Sequence, residues 1–398
     1  MDWHLTHGTR PGPARSEKPE AWTNASFATA INLDERTIRN WRKARAVPIE
    51  TVLNWFDRTV MSYDHDVGLA ATWAASVEKL TPESRRLLDR LAFLAPDPVP
   101  HSLLEVATPG EAADYDAHEA RAGLFAYSLI SRASGAGGAE QGFAMHRLVQ
   151  DFARRAMTVE RRGEALQEAL EWVNAAFQGS PEDVRSWATL APHARAVARH
   201  ADKAAIAAPT AWLLDRLATL LQSKALWAEA ELLFRRALAI HEAAHGPDRC
   251  DVASGLNSLA VLLKATSRLR EAEPLSRRAL AIDEASHGPV HPNVAIRLNN
   301  LARLLHDTNR LDEAEPLFRR ALAIDEASYG PDHPEVATDL NNLAGLLRDT
   351  NRLVSAEPLF RRALAICEVN LGAEHPHTAT VRRHIAALEA ANGSGGAD

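Results

Sequence analysis

The chain has 398 residues, of which 46% are hydrophobic and 24% are charged, and its net charge at pH 7 is −7. This length supplies apolar material for two or three packed domains, and the acidic balance argues against a surface that is basic throughout. No stretch is apolar enough to span a membrane and the N-terminus lacks the apolar core of a signal peptide, so we expect a cytoplasmic protein. The two cysteines, Cys250 and Cys367, are far apart in sequence and predict neither a disulfide framework nor a zinc site.

The first fifty residues have the residue order of a helix-turn-helix. Ala28 supplies a small residue where two helices would cross, and Asn32 suits the turn between them. Ile38 and Trp41 would lie on the buried face of the second helix. The segment resembles the small helix-turn-helix domains of bacterial regulators. Its exposed face would carry the DNA-binding candidates Arg36, Arg39, Asn40, Arg42 and Lys43. A solvated basic helix, or a protein-contacting use of the same fold, is the alternative.

Residues 51–66 are predicted to be a linker. Residues 67–157 form a second unit with a different sequence pattern. Thr81 is a good N-cap for a helix that starts with Pro82, and the glycine-rich stretch 133–142 is short enough to be the turn of a β-hairpin. The helices are predicted at 85–94, from near 101, at about 111–131, and from 143 to about 157. The phrase L-L-x-x-L-A-F-L-A-P-D-P, followed by M-H-R-L-V-Q, resembles the winged-helix segment that closes the nucleotide-binding module of NB-ARC and related STAND signalling ATPases.

This resemblance makes His146 a candidate for contact with the β-phosphate of a nucleotide, at the histidine position of the family's Met-His-Asp motif. Arg147 stands where the family has aspartate, and no lysine of the chain follows a glycine as a phosphate loop requires. The residues before this unit are also too few for a parallel-sheet ATPase domain. We therefore expect no cofactor, and a helix-capping or core role for His146 is the favoured alternative to nucleotide contact.

The C-terminal half repeats with a period of 42 residues, as Leu214, Leu256, Leu298 and Leu340 illustrate. Segments 295–336 and 337–378 are identical at 28 of 42 positions, which a shared helical composition does not explain. Each copy reads as two amphipathic helices joined by a T-N-R or T-S-R turn. Such a hairpin cannot bury its apolar face alone, so we expect the copies to stack into a solenoid with a concave binding surface.

Small residues recur where the two helices of a copy must approach closely, for example Ala272 and Ala279, and a phenylalanine follows except at Ser276. This order resembles the tetratricopeptide repeat, in the longer form found in kinesin light chains and bacterial sensor proteins with the phrase L-N-N-L-A. The resemblance covers 211–391, comprising four repeats and a capping helix at 380–391. The connector glycines are expected to cap the second helices in a left-handed conformation, and the connector histidines His291, His333 and His375 are interpreted as structural rather than metal-binding.

The resemblance implies a protein or peptide ligand in the groove, contacted by first-helix side chains. The asparagine ladder can hydrogen-bond a peptide backbone, and the neighbouring cations would favour an acidic or carboxylate ligand. An alternative is that the ladder only braces neighbouring repeats. The candidate peptide-binding residues are Asp215, Asn257, Lys264, Asn299, Arg303, His306, Asn341 and Arg348.

No catalytic constellation is present: the sequence contains neither H-E-x-x-H nor G-x-S-x-G, and an enzyme is not expected. The recurring acidic pairs Asp283-Glu284 and Asp325-Glu326 are interpreted as solvated helix faces.

The predicted fold class is all-α, a right-handed α-solenoid of tetratricopeptide-like hairpins, with a small β-hairpin in the winged-helix unit. A helical connector is expected at 158–210 and a disordered tail at 392–398. The predicted function is a non-enzymatic interaction scaffold or sensor in bacterial signalling or regulation. The alternatives are a DNA-binding transcriptional regulator and, third, the remnant of a nucleotide-dependent STAND switch.

Overall fold

A computed structural model describes residues 73–106, 116–134, 140–177 and 184–394. The predicted helix-turn-helix at 1–50 and the linker at 51–66 lie outside this range. The chain divides into two compact units, with the boundary between Leu220 and Leu221. Within the described ranges, no helix has both the length and the apolarity needed to cross a bilayer.

The first unit combines helices with a small antiparallel sheet whose strand order is β1-β3-β2. Val99 in β1 pairs with Phe143 in β3, and Arg132 in β2 pairs with the same residue from the other side. The elements are α1 (Pro82–Leu91), β1 (Val99–Pro100), a 3-10 helix (His101–Glu105), α2 (Ala117–Ala126), β2 (Ser131–Ser134), β3 (Glu140–Ala144), α3 (Arg147–Ala156), α4 (Val159–Ala176), α5 (Val184–Lys203) and α6 (Ala208–Ser223), which contains the boundary between the units.

The helices of the first unit begin and end at residues that differ slightly from the predicted bounds. Thr81 caps α1 as expected, because its hydroxyl accepts from the backbone N–H of Ser84. That cap starts α1 at Pro82, as its residue order predicted, and the helix ends at Leu91 rather than at 94. Asp116 caps α2 with bonds from two backbone N–H groups, so that helix begins later than predicted.

Buried polar contacts hold the core of the first unit in register. The indole N–H of Trp172 in α4 donates to the carbonyl of Leu103 over 2.9 Å. The Gln150 amide in α3 donates to the carbonyl of Leu94 beyond the end of α1. Arg90, which is 1% exposed, pairs with Glu168 at 3.0 Å. These bonds satisfy groups that would otherwise be costly to bury.

The second unit is a series of helical hairpins, as the 42-residue period predicts. Each first helix packs against the second helix of its own repeat and against the neighbouring repeats. The helices are α7 (Trp227–His245), α8 (Cys250–Ala265), α9 (Leu269–His287), α10 (Pro292–Asp307), α11 (Leu311–Tyr329), α12 (Pro334–Asp349), α13 (Leu353–Asn370) and α14 (Pro376–Ser394). The fold class is all-α, as predicted. The capping helix α14 is longer than predicted, because it begins at Pro376 and continues into the segment expected to be disordered.

Alanines stand at the close helix contacts, in agreement with the sequence. Ala272, Ala279, Ala314 and Ala321 are all completely buried, and Phe318 beside them is 2% exposed. A larger side chain at these alanine positions would force the helices apart. The small positions therefore set the distance between the two helices of a hairpin.

The connectors between repeats require glycine, although not in the left-handed helical conformation that the sequence suggested. Gly330 has φ 89° and ψ 162°, and Gly288 has φ 85° and ψ 163°. This combination of positive φ with extended ψ is essentially restricted to glycine. The left-handed helical region is used instead inside each hairpin, where Asn309 and Asn351 both have φ 59°.

Candidate peptide-binding face

The predicted ligand-contacting side chains, apart from Asp215, lie on the first helices α8, α10 and α12, which follow one another along the second unit. We call this surface the first-helix face and define it by Asn257, Lys264, Asn299, Arg303, His306, Asn341 and Arg348. Asp215 lies on α6 within the first unit, where it is half-buried. The structure therefore brings all but one of the candidates onto the same series of helices.

The amides of the first-helix face bond to neighbouring repeats. Asn300 donates to the side-chain oxygen of Asn257 over 2.9 Å, and the Asn341 oxygen lies 2.8 Å from Nδ1 of His384. Both pairs join residues that are 43 positions apart. Asn299 donates instead to the carboxyl group of Asp339. The amides thus make the bracing contacts that the alternative interpretation expected.

Three of the four cations of this face lie beside aspartates, two of them in the following repeat. Lys264 lies 2.9 Å from Asp307, and Nε2 of His306 lies 2.9 Å from the carboxylate of Asp349. Arg348 contacts the same Asp349 at 2.9 Å. These neighbouring carboxylates offset much of the local positive charge.

Arg303 differs from the other cations of the face. It is exposed, and among the residues that the structure describes it makes no ion pair. The corresponding residue is Val261 in the preceding repeat and Gly345 in the following one. Its charge is therefore specific to one position in the array and is available to a ligand.

Two aspartates that the sequence analysis assigned to solvated faces are buried, so that interpretation is wrong. Asp283 is fully buried and pairs with Arg297 in the next first helix at 2.7 Å. Asp325 is 3% exposed and hydrogen-bonds to Asp339, which is 1% exposed. This position of the second helix faces the next repeat, so its carboxyl group is buried there. Burial of the group is costly unless a complementary side chain pairs with it.

Asp325 and Asp339 form a pair of carboxyl groups, and the pKa of each is raised above its ordinary value. Burial is the largest cause, and it raises the pKa of Asp339 to about 8, with Asp325 and Glu335 adding like-charge repulsion. Burial and Glu335 likewise raise the pKa of Asp325 to about 6. Ionising both of two adjacent buried carboxyl groups is costly, so the pair retains a proton near neutral pH.

Two groups of metal-ligating side chains come together from different helices. Sγ of Cys250 lies 3.6 Å from Nε2 of His287, with the Asp283 carboxylate beside them. A second group comprises His241 and His245, which lie one repeat before Asp283 and His287, together with Asp251. In each group the potential ligand atoms lie within 4.8 Å of one another. In each group two ligands lie four residues apart on one helix, and the third comes from a neighbouring helix.

His146 of the first unit caps a helix. Its Nδ1 accepts from the backbone N–H of Leu148 at 3.2 Å, and the residue is the N-cap of α3. Met145 before it is buried in the core. This is the geometry expected of a capping histidine. The connector histidines act in the same way, since His291 and His333 cap α10 and α12.

The DNA-binding candidates from Arg36 to Lys43 lie outside the described residues, so their role stays a sequence-based prediction.

Comparisons with known proteins agree with the repeat geometry. The tetratricopeptide repeat family model matches at residues 209–285, 251–327, 298–368 and 340–394, and a second model, Domain of unknown function (DUF7779), matches residues 75–162. The search of curated proteins gives no match.

Solved structures with similarity to this chain include repeat proteins. A kinesin light chain-like protein of Podosopora anserina with nearly identical TPR-like repeats is 23% identical, with a TM-score of 0.41, over 46% of this chain and 85% of that one. BtubC (BKLC) from P. vanneervenii is 20% identical, with a TM-score of 0.39, over 58% of this chain and 83% of that one. Together, the hairpins, the 42-residue period and the family match identify residues 209–394 as tetratricopeptide repeats.

Proposed function

We propose that this protein is a non-enzymatic interaction scaffold whose repeats bind an acidic segment of another protein on the first-helix face. Tetratricopeptide repeats support a protein partner, and stacked repeats present extended surfaces to such partners. The preference for an acidic segment depends on the charges of this face. The fixed cations Lys264, Arg303 and Arg348 outnumber the acceptors Asp307 and Asp349 by three to two.

The observation that carries the proposal is the guanidinium of Arg303, which makes no ion pair with the residues that the structure describes. A carboxylate of a ligand can approach it without displacing an existing ion pair, and arginine can bind carboxylates through two parallel hydrogen bonds. Lys264 and Arg348 would first have to exchange their present partners. We therefore place the centre of the ligand site at Arg303 and assign the asparagines to bracing.

The experiment measures binding of the full chain to labelled peptides of equal length that are rich in glutamate, neutral, or rich in lysine. Wild type is expected to bind the acidic peptides most tightly, and Arg303→Glu is expected to lose this preference. Arg361→Glu is the matched control, because Arg361 is an exposed second-helix residue whose ion pair with Glu357 lies within its own helix. Equal binding of all peptides to wild type, or equal losses in the two variants, would refute the proposal.

For the first unit, we propose the winged-helix arrangement predicted at 67–157. The order helix, strand, short helix, helix and hairpin, followed by α3, supports it, as does a three-stranded sheet in which the hairpin pairs with β1. The cap formed by His146 supports a structural role for that residue within this arrangement.

A further inference from the structure

The start of α8 departs from the pattern that opens the equivalent helices of later repeats. Helices α10, α12 and α14 each follow a histidine and begin with a proline, at His291-Pro292, His333-Pro334 and His375-Pro376. In α8 the same two positions hold Arg249 and Cys250, and within the described ranges the side chain of Arg249 makes no capping hydrogen bond. Proline is favoured as the first residue of a helix, because the N–H that it lacks would have no partner there. Cys250 therefore replaces a residue that suits this position better.

Two side chains of α9, the second helix of the same hairpin, meet Cys250. Its Sγ lies 4.0 Å from Nδ1 and 3.6 Å from Nε2 of His287. Oδ1 of Asp283, one turn earlier in α9, lies 3.6 Å from the same Nδ1. A thiol, an imidazole and a carboxylate thus converge where α8 begins and α9 ends, at the open end of the hairpin.

The distances suit a single metal ion bound by all three side chains. In a tetrahedral zinc site, the Zn–S distance is about 2.3 Å and the Zn–N and Zn–O distances are about 2.0–2.2 Å. Such a site places sulfur about 3.5 Å from nitrogen, and oxygen about 3.4 Å from nitrogen. The separations from Nδ1 of His287 exceed these values by about 0.5 Å and about 0.2 Å. Cys250 is half-buried, so rotation of its side chain can close the larger gap.

The buried carboxyl group of Asp283 has one oxygen left for a ligand. Its Oδ2 accepts from Nε of Arg297 over 2.7 Å. Its Oδ1 accepts no hydrogen bond from the residues that the structure describes, although the Asp283 side chain is only 1% exposed. A buried oxygen without a partner is costly, and a cation between the three side chains would satisfy it. The bond from Arg297 would at the same time orient the carboxylate, as outer hydrogen bonds do in metal sites.

The three ligand types do not occur together at these positions in the following hairpins. The positions of Cys250, Asp283 and His287 hold proline, aspartate and tyrosine in the hairpin of α10 and α11. They hold proline, cysteine and leucine in the hairpin of α12 and α13. Each of those sets contains a single common ligand of zinc. The exchange of proline for cysteine in α8 therefore coincides with the histidine and the aspartate that complete the set.

We propose that Cys250, Asp283 and His287 bind a Zn²⁺ ion, with water in the fourth position. A thiolate and an imidazole favour zinc over magnesium and calcium, which take oxygen ligands. The ion would hold the start of α8 to the end of α9. Through the pair of Asp283 with Arg297 it would also be linked to α10. The site is independent of the ligand site proposed on the first-helix face.

The test titrates the reduced full chain with Co²⁺, which occupies zinc sites and gives a charge-transfer absorption band when a thiolate binds it. Wild type is expected to develop this band with equimolar cobalt, and added Zn²⁺ should remove it by displacement. Cys250→Ser should lose the band. His287→Ala should weaken cobalt binding by at least about 10-fold, because it removes one of three protein ligands.

Two variants serve as controls in this titration. His245→Ala is matched to His287→Ala, because His245 stands one repeat earlier and belongs to the second group of ligand-type side chains. Cys367→Ala removes the buried thiol of another repeat. Both controls should keep the band and the affinity of wild type. The site is refuted if wild type shows no band, if the band persists in Cys250→Ser, or if His245→Ala loses as much affinity as His287→Ala.

A second measurement uses a variant that is expected to fold normally. Cys250→Pro restores the residue that begins α10, α12 and α14. Free zinc at about 100 times its dissociation constant should raise the melting temperature of wild type by roughly 5–10 °C, because the ion binds only the folded chain. The melting temperature of Cys250→Pro should not respond. An equal rise in both proteins, or no rise in wild type, would show that zinc does not join α8 to α9 through these side chains.

Discussion

Replacing Asp339 by asparagine is expected to stabilise the protein at neutral pH and to change its stability little in mild acid. Asp325 and Asp339 are buried together, and the Asp339 carboxyl group also accepts from Asn299. An asparagine at 339 can still accept from Asn299 through its oxygen, and its amide can donate to Asp325. The substitution removes one ionisable group while it keeps the shape of the side chain.

The size of the effect follows from the pKa of Asp339, which rises from 3.8 in a free carboxyl group to about 8 in the folded protein. A raised pKa means that the folded chain holds a proton that the unfolded chain releases. Stability is therefore fully present below about pH 4 and is lost progressively as the pH rises towards 8. Because each pH unit in this window is worth about 1.4 kcal/mol, wild type loses up to about 3 kcal/mol between pH 5 and pH 7.5. Asp339→Asn should recover most of that loss.

The assay is urea unfolding followed by circular dichroism at pH 5 and pH 7.5. The midpoint of Asp339→Asn should exceed that of wild type at pH 7.5, and the gap should shrink at pH 5. Asp332→Asn is the control, because Asp332 is exposed in a connector, and its substitution should leave both midpoints unchanged. A gap of equal size at both pH values, or a lower midpoint for Asp339→Asn at pH 7.5, would show that the pair does not share a proton as described.

Two further predictions concern stability, and thermal denaturation checks both. Arg297→Met removes the arginine that pairs with the buried Asp283, and it should cost about 3–5 kcal/mol of stability. Arg320→Met breaks a half-exposed ion pair and should cost less than about 1 kcal/mol. Equal losses in the two variants would contradict the argument from burial. Gly330→Ala forces a side chain into a conformation with φ 89° and should destabilise by about 1–3 kcal/mol. Gly345 lies within α12, and apart from the local backbone and the adjacent residues no atom lies within 4 Å of a methyl group added there. Gly345→Ala should therefore be neutral or stabilising, and the opposite order would refute the argument.

The sequence predicted the repeat architecture well because the determining contacts are local and recur. Ala279 and Ala321 lie at close helix contacts within a hairpin. The 42-residue period places the same contact in each repeat, so it can be predicted from the sequence alone. Thr81 likewise predicted the start of α1, because a helix cap depends only on residues a few positions away.

The buried acids could not be predicted in this way. Asp283 and Asp325 each stand beside a glutamate, and within a single helix the two residues read as one polar face. Their burial depends on the next repeat, where Arg297 or Asp339 meets them. The same two positions hold other pairs in the first and last repeats, so no single residue type marks the contact. The partners of the asparagines escaped prediction for the same reason, because a contact between residues 43 positions apart exists only after stacking.

Two departures from the repeat lie on α10, and they bear on the proposed ligand site. Asn257 and Asn341 both bond to the residue 43 positions later, whereas Asn299 in α10 donates to Asp339 instead. Arg303, four residues farther along the same helix, makes no ion pair within the described part of the chain. Stacking alone would be served by four equal copies, since each equal copy makes the same contacts with its neighbours. A difference that adds an available cation to one junction does not improve stacking, and it therefore supports the ligand site that we propose there.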